Sequence, residues 1–205
     1  MSAAGGPRTA APPAGQADVV HAVTVTGPRT AALLTSPRPL TPLSPTEVEG
    51  PTLASLVSPG TELNWYFDPD PATPASYPAV PGYAAVFEVA RVGDQVRDLR
   101  AGDRVLAPLG RHASWQRHEV SGLLRVPDGL GPREAVFARL MSVSMATLTT
   151  TRARPPEPAG VSGLGLVGHM AAKVFAACGY PVVAWDRNER RRALVAQAGI
   201  STADG

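Results

Sequence analysis

Three glycines and one aspartate constrain this chain more than any other feature. Gly163, Gly165 and Gly168 stand in the run G-L-G-L-V-G, and Asp186 follows at the end of the next apolar run. This spacing is typical of a strand–turn–helix–strand unit that binds a dinucleotide. A complete sheet of this kind needs several more strands than residues 187–205 supply. The sequence therefore predicts a partial, C-terminally shortened unit.

Each residue of this fingerprint has a predicted role in holding the cofactor. Gly163 permits a tight turn off the strand, Gly165 lets the backbone approach a pyrophosphate, and Gly168 lets the helix pack closely on the strand. The backbone N–H groups of Leu166 and Val167 would face the phosphate at the positive end of the helix.

The residues after the second predicted strand bear on the choice of cofactor. Asp186 is placed to accept hydrogen bonds from a ribose diol, which favours NAD over NADP. Arg187 beside it can pair with a 2′-phosphate and so weakens that preference. The prediction is NAD or NADP, with NAD preferred.

Proline and glycine divide the rest of the chain into short elements. The 205 residues include 22 prolines and 20 glycines, which favours short strands and turns over long helices. Alternating strands predict a barrel-like all-β half, with 58–82 irregular because of its prolines. Helical spacing begins only at 133–141, and the later part has two predicted strands. The predicted domains are a disordered tail (1–17), a catalytic and substrate domain (18–150) and a nucleotide-binding domain (151–205).

Charge and composition exclude several classes of protein. The net charge is only +2 and no basic run is interleaved with aromatic residues, so we expect no nucleic-acid partner. Cys178 is the only cysteine, which excludes a disulfide framework and a cysteine-based zinc site. No apolar stretch is long enough to span a membrane, and the N-terminus lacks the apolar core of a signal peptide. We therefore expect a soluble cytoplasmic protein with no membrane partner.

Several motifs outside the glycine run identify a family. They are P-G-Y at 81–83, V-F-E-V-A-R-V-G at 86–93, A-G-D-R-V at 101–105, H-A at 112–113 and V-P-D-G-L at 126–130. Together they resemble the medium-chain dehydrogenase/reductase superfamily, in which a GroES-like barrel precedes a Rossmann domain. The run S-P-G-T-E-L, with P-G-Y, is similar to the zinc-independent branch that contains bacteriochlorophyllide dehydrogenase-like proteins. The resemblance implies an α/β plus β fold, with a GroES-like β-barrel followed by a partial Rossmann dinucleotide-binding unit.

The chain departs from the family at the positions of the catalytic zinc. Zinc members carry Cys-Gly-x-Asp where this chain has P-G-T-E at 59–62, and His-Glu where it has Tyr83 and Ala84. The structural-zinc lobe with its four cysteines is also absent. We therefore expect no metal.

Without zinc, another group must polarise the substrate carbonyl. The resemblance places Tyr83 as a hydrogen-bond donor, with Thr61 or His112 assisting. The alternative is structural: Tyr83 packs in a cleft wall, and Thr61 and Glu62 cap a turn. By the same resemblance Thr147 lies where the family's chain passes beneath the nicotinamide, or else its hydroxyl only satisfies a helix.

The function that these features imply is that of a zinc-independent NAD(P)-dependent oxidoreductase. It would transfer a hydride between nicotinamide and a carbonyl, alcohol or activated alkene of a small molecule. One alternative is a degenerate, shortened relative without redox activity, which acts as a binding or assembly partner or uses the barrel cleft without a cofactor. Another alternative is a fragment of a longer enzyme. A partial sheet leaves an open edge, so we expect a homodimer that covers it.

Overall fold

The structure, a computed structural model, describes residues 19–67 and 76–203, and the predicted tail at 1–17 lies outside these ranges. The chain divides into two compact units. The first unit ends at Pro132, and the second unit begins at Arg133.

The first unit is built from short antiparallel strands, as the alternation in the sequence predicts. Its strands are β1 (Val19–Gly27), β2 (Thr30–Pro37), β3 (Glu47–Leu56), β4 (Ala84–Glu88), β5 (Arg91–Val92), β6 (Arg104–Ala107), β7 (Trp115–Glu119) and β8 (Leu124–Arg125). The hairpin β1–β2 forms one sheet, and β5-β3-β4-β6-β8 is the order of the other, with β7 also paired to β3.

Strand β3 organises the first unit because it pairs with different partners along its length. Its first half pairs with β5 and β7, and its second half pairs with β4. The side chains of Val48, Phe87 and Val105 are fully buried between these strands and form the centre of the core. β-Branched and aromatic residues in alternation suit such a half-buried pleated surface.

The expectation that 58–82 is irregular is wrong for its first part. Helix α1 (Pro59–Phe67) begins there. The backbone N–H of Ser58 donates to Oε1 of Glu62 over 2.7 Å, which satisfies a donor just before the first turn. A proline is well tolerated at the first helical position, because its missing N–H would have no partner there anyway. The prolines later in the segment led to the prediction of a loop, so this helix start was not recognised.

The second unit contains helices around a small parallel sheet. Its elements are α2 (Pro132–Ala135, which begins at the last residue of the first unit), α3 (Ala138–Thr150), β9 (Ala159–Ser162), α4 (Leu166–Ala177), β10 (Val182–Trp185), α5 (Glu189–Ala196) and β11 (Ser201–Ala203). The strand order is β11-β10-β9, and both pairs are parallel. Ala172, Phe175, Ala184 and Val195 are buried in its core. Among the described residues no helix is long and apolar enough to cross a membrane.

Two predictions about this unit differ from the structure. The sheet has three strands rather than two, because Ser201–Ala203 pairs along β10 although the segment lacks β-branched repetition. The helix expected at 133–141 is instead the short α2 followed by α3, which continues to Thr150.

Because α3 packs on α4, the division into compact units falls at Pro132, whereas the sequence places a domain boundary near residue 150.

Candidate functional site

The glycine run forms a tight loop between β9 and α4. Gly163 has a φ of +83°, a left-handed conformation that side chains rarely adopt. A Cβ atom at Gly168 would overlap the carbonyl oxygen of Gly163. Both positions therefore require glycine, for the turn and for the close approach of helix to loop respectively.

Asp186, at the end of β10, is tied to this loop by its carboxylate. Its Oδ2 accepts the backbone N–H of Leu164 over 2.7 Å, and its Oδ1 accepts that of Asn188 over 2.7 Å. The Arg191 guanidinium lies 3.4 Å from Oδ2. The Asn188 and Leu164 N–H groups, followed by Arg191, hold the pKa of Asp186 below its usual range. The carboxylate is therefore charged at neutral pH and fixes the loop beside the strand end.

The N-terminus of α4 is open for an anion. Gly165 is the N-cap and offers no side-chain acceptor to the first-turn N–H groups. Leu166 and Val167 in that turn are 45% and 46% exposed. Uncapped N–H groups at the positive end of a twelve-residue helix are a favourable place for a phosphate.

A cavity of about 410 Å³ lies beside this loop. Its lining residues are Ser162, Gly163, Trp185, Asp186, Arg187 and Arg191. The volume falls in the range of small-molecule sites. The structure thus brings together Gly163, Asp186 and Arg187 from the predicted cofactor set.

Thr147 is not among the residues that line this cavity. It lies on α3 with its side chain exposed. Its carbonyl accepts the backbone N–H of Thr151 and the hydroxyl of Thr150, each over 3.1 Å. These contacts lie at the C-terminal end of the helix, so the role of Thr147 beneath a nicotinamide stays a prediction.

A second group of polar side chains lies in the first unit. Nδ1 of His112 is 2.8 Å from the hydroxyl of Ser55, and Nε2 of His112 is 2.9 Å from Oε2 of Glu62. The side chains of His112 and Glu62 are only 9% and 14% exposed, whereas Ser55 is exposed. We refer to this arrangement as the Ser55–His112–Glu62 chain. It connects an accessible hydroxyl to a largely buried carboxylate through an imidazole.

Thr61 and Tyr83 border this chain along the backbone. Thr61 precedes Glu62, and its Oγ1 lies 3.2 Å from the Ser58 hydroxyl. The backbone N–H of His112 donates to the carbonyl of Pro81 over 2.9 Å, two residues before Tyr83. The three predicted catalytic residues therefore come from segments that meet at His112, although only His112 itself belongs to the chain.

The sequence predicts Glu62 as one half of a turn cap, and its Oε1 does accept the Ser58 N–H, but the contacts of Glu62 and Ser55 with His112 were missed. Glu62 had a signal, because it fills the acidic position of the motif P-G-T-E. Ser55 had none: it lies in β3, 57 residues before His112, and only the fold brings the two together.

The residues at the family's zinc positions do not fit a zinc ion. Pro59 has no side-chain donor atom, and Ala84 has none either. Within 19–67 and 76–203 no three His, Cys, Asp or Glu residues are grouped in a way that could hold a metal. His112 and Glu62 contact each other, and two ligands are fewer than catalytic zinc sites use.

Comparison with known proteins identifies the class to which this fold is similar. No family model matches the chain. An alcohol dehydrogenase of Geobacillus stearothermophilus is 27% identical over 154 aligned positions, and the alignment covers 60% of this chain and 45% of that protein. An alcohol dehydrogenase of Rhizobium meliloti (strain 1021) is 30% identical over 167 aligned positions, and the alignment covers 66% of this chain and 47% of the relative. The chain thus spans about half the length of the curated relatives that it matches.

The solved structures agree with these relatives on the fold. A structure assigned as a zinc-binding dehydrogenase from Sinorhizobium meliloti 1021, bound to NADP, superposes with a TM-score of 0.79 at 16% identity. The superposition covers 91% of this chain and 62% of the other. The likeness confirms the predicted fold class, a GroES-like barrel followed by a Rossmann unit. Together with the alcohol dehydrogenases it supports the medium-chain dehydrogenase/reductase superfamily.

Proposed function

We propose that this chain is a zinc-independent oxidoreductase that uses a nicotinamide dinucleotide and acts on a carbonyl, alcohol or activated alkene of a small molecule. Its curated relatives are named alcohol dehydrogenases, which supports an oxidoreductase role. The observation that carries the proposal is the glycine loop, which Asp186 fixes beside an uncapped helix N-terminus.

In this proposal the second unit holds the cofactor. The N–H groups of Leu166 and Val167 bind the pyrophosphate, and Gly165 leaves room for its approach, since nothing lies within 4 Å of a Cβ at that position. When bound, the nicotinamide supplies or accepts the hydride. Thr147 is proposed to lie beside the nicotinamide.

We further propose that NAD binds better than NADP. The Asp186 carboxylate lines the cavity, is charged, and retains acceptor capacity for a ribose diol. A 2′-phosphate there would meet the negative charge of Asp186. Arg187 and Arg191 line the same cavity and reduce the discrimination, so we expect a preference rather than exclusion.

The Ser55–His112–Glu62 chain would move the proton that accompanies hydride transfer. A carboxylate accepts hydrogen bonds only, so Glu62 assigns the proton of neutral His112 to Nε2 and leaves Nδ1 to accept the Ser55 hydroxyl. In oxidation of an alcohol, the substrate proton passes to Ser55 Oγ while the Ser55 proton passes to Nδ1. The resulting imidazolium is paired with Glu62. Reduction of a carbonyl runs the same transfers in reverse.

Tyr83 and Thr61 complete the proposed catalytic set. Tyr83 would donate a hydrogen bond to the substrate oxygen in place of a metal, and the Thr61 hydroxyl would assist. Pro59 and Ala84 stand where zinc members have ligands, which supports the zinc-independent assignment.

We also propose that two copies pair through the second unit. Val183 and Trp185 lie on one face of β10 and are 43% and 36% exposed, while Val182 and Ala184 on the other face are buried. A second copy of the same face would cover these apolar side chains.

Titration of NADH and NADPH into the purified chain, followed by nicotinamide fluorescence, tests the cofactor proposal. We expect saturable binding of both, with NADH tighter. Asp186→Asn should weaken NADH binding by about 1–3 kcal/mol, because it loses charge-assisted hydrogen bonds. Glu157→Gln, an exposed acid of the same unit, is the matched control and should leave both affinities unchanged.

Three results would count against the proposal. If neither cofactor binds the wild-type chain, the degenerate, non-redox alternative is favoured. If Asp186→Asn binds NADH as well as the wild type does, the ribose assignment fails. If elemental analysis finds one zinc per chain, the zinc-independent assignment fails.

A further inference from the structure

A second cavity, of about 590 Å³, lies in the first unit. Residues of β1, of the segment after β2 and of β7 contribute to its wall, among them Val20, Ala22, Arg38, Trp115 and Arg117. None of Ser55, Glu62 or His112 lines it. Its volume is that of a site for a small organic molecule.

Arg38 and Trp115 form one side of this cavity as a stacked pair. Nε of Arg38 and Nε1 of Trp115 are buried and without a hydrogen-bond partner among the described residues. The two side chains are stacked, with the Arg38 guanidinium carbon 4.4 Å from the centroid of the Trp115 ring. Both nitrogen atoms are closed off from the cavity, so the stacked Arg38 and Trp115 side chains form a packed part of its wall.

The charges around the cavity leave an excess of positive charge. Arg117 is paired with Glu47 at 2.7 Å, and Glu49 is paired with Arg91 at 3.3 Å. Within each of these two ion pairs the positive and negative charges cancel.

Arg38 and Arg111 account for the excess. In the described part of the chain, neither has a carboxylate within ion-pair distance, and both line the cavity. Burial, and after it the positive charge of Arg111, lower the pKa of His118 in the same wall. A neutral His118 does not add to the excess charge.

We propose that this cavity binds a small organic carboxylate with an apolar body. The carboxylate pairs with the guanidinium groups of Arg38 and Arg111, and the Trp115 ring on which Arg38 is stacked holds Arg38 in place. Val20, Ala22 and Val80 provide an apolar wall for the body of the ligand. The proposal does not rest on the proposed redox function, since none of the residues proposed for proton transfer or for cofactor binding lines this cavity.

Naphthoate is the probe that tests this site, followed through the indole N–H signals in a heteronuclear NMR spectrum of the full chain. We expect a saturable shift of the Trp115 signal. Trp65 and Trp185 are exposed and outside the cavity, so their signals are internal controls. Naphthalenemethanol has the same rings without the charge, and naphthyl phosphate replaces the carboxylate by a different anion.

The variants separate the two arginines from general effects of charge. Arg38→Gln and Arg111→Gln should each weaken naphthoate at least roughly tenfold, the loss expected of one charge-assisted hydrogen bond. Arg100→Gln removes an exposed arginine elsewhere in the first unit and should change nothing. Because Arg38 is stacked on Trp115, thermal unfolding must show that its variant is folded, and Arg111→Gln provides the second, independent measurement.

Several outcomes would overturn the proposal. These are equal shifts of all three indole signals, equal affinity for naphthalenemethanol, or naphthoate binding that survives both arginine substitutions. Tighter binding of naphthyl phosphate than of naphthoate would assign the cavity to a phosphate monoester and overturn the carboxylate class.

Discussion

At the scale of single residues, His112 links the largely buried carboxylate of Glu62 to the exposed hydroxyl of Ser55. Its ring is nearly buried and has a hydrogen-bond partner on each nitrogen, so its orientation is fixed. Ser55 is the exposed member of the chain, whereas the side chains of His112 and Glu62 are largely buried. The Ser55–His112–Glu62 chain is therefore ordered from solvent to interior, as a proton relay requires.

The relay makes a prediction that separates catalysis from cofactor binding. His112→Asn and Ser55→Ala should each lower kcat by roughly 100-fold or more, the usual contribution of a positioned acid or base. NADH affinity should not change, because the glycine loop lies in the other unit. The measurement is the loss of nicotinamide absorbance with a panel of aldehydes, ketones and activated alkenes, together with the NADH titration.

The chain offers a matched control for this prediction. His21 is also a barrel histidine bonded to a hydroxyl, with Nδ1 2.9 Å from the hydroxyl of Thr35, but it is paired with no carboxylate among the described residues. His21→Gln should therefore keep full activity. If His112→Asn retains wild-type kcat and the wild-type pH profile, the relay is wrong and the polar group is structural.

At the scale of elements, local sequence patterns predicted those helices and strands whose formation depends on residues close together in the sequence. The strand before Gly163, the helix after it and Asp186 all follow from spacing, and the structure contains them in that order. Helix α1 was missed because its start signal, Ser58 before Pro59 with Glu62 following, stands in a proline-rich segment that reads as a loop.

The parts of the site that sequence cannot predict are those created by long-range pairing. Ser55 meets His112 only because β3 and the segment before β7 lie side by side, and no local pattern marks a serine on a strand as a proton donor. Arg38 and Trp115 likewise meet across the fold. The nucleotide loop was predictable because its residues lie within one strand–helix–strand unit.

We expect His118 on strand β7 to make the free energy of unfolding of the first unit depend on pH. Burial, followed by the charge of Arg111, lowers the pKa of His118 in the folded state. Between the ordinary histidine pKa of about 6.5 and this lowered value, the unfolded chain binds a proton that the folded chain does not. The free energy of unfolding should therefore be greatest above about pH 6.5 and fall as the pH is lowered through this window.

Chemical denaturation at a series of pH values between neutral and mildly acidic measures this effect. His118→Gln should reduce the slope of unfolding free energy against pH, because the titrating group is gone. His169 in the second unit also has a pKa lowered by burial and by Lys173, so the comparison of variant with wild type isolates the share of His118. His21→Gln should keep the wild-type slope. If the slope of unfolding free energy against pH is unchanged in His118→Gln, His118 on β7 is not the cause of the pH dependence.

At the scale of the whole molecule, the open face of the parallel sheet sets the expected assembly. Helix α4 packs against β9 and β10, while Val183 and Trp185 point away from the buried core and remain exposed. The Trp185 indole lies across Gly160 and widens this apolar face. Contiguous exposed apolar side chains of this kind mark association surfaces on folded proteins.

We expect the chain to form a homodimer through this face, with a mass in solution of twice 21.3 kDa. Val183→Lys should shift the population to monomer, because two copies would bury like charges against each other in a two-fold contact. Leu40→Lys is the matched control, since Leu40 is a 75% exposed leucine in the first unit and its substitution should leave the dimer intact. Light scattering across a range of protein concentrations measures both. A wild-type chain that stays monomeric at every concentration, or a Val183→Lys variant that dimerises as the wild type does, would show that this face is not the contact, and the exposed Val183 and Trp185 would then need another partner.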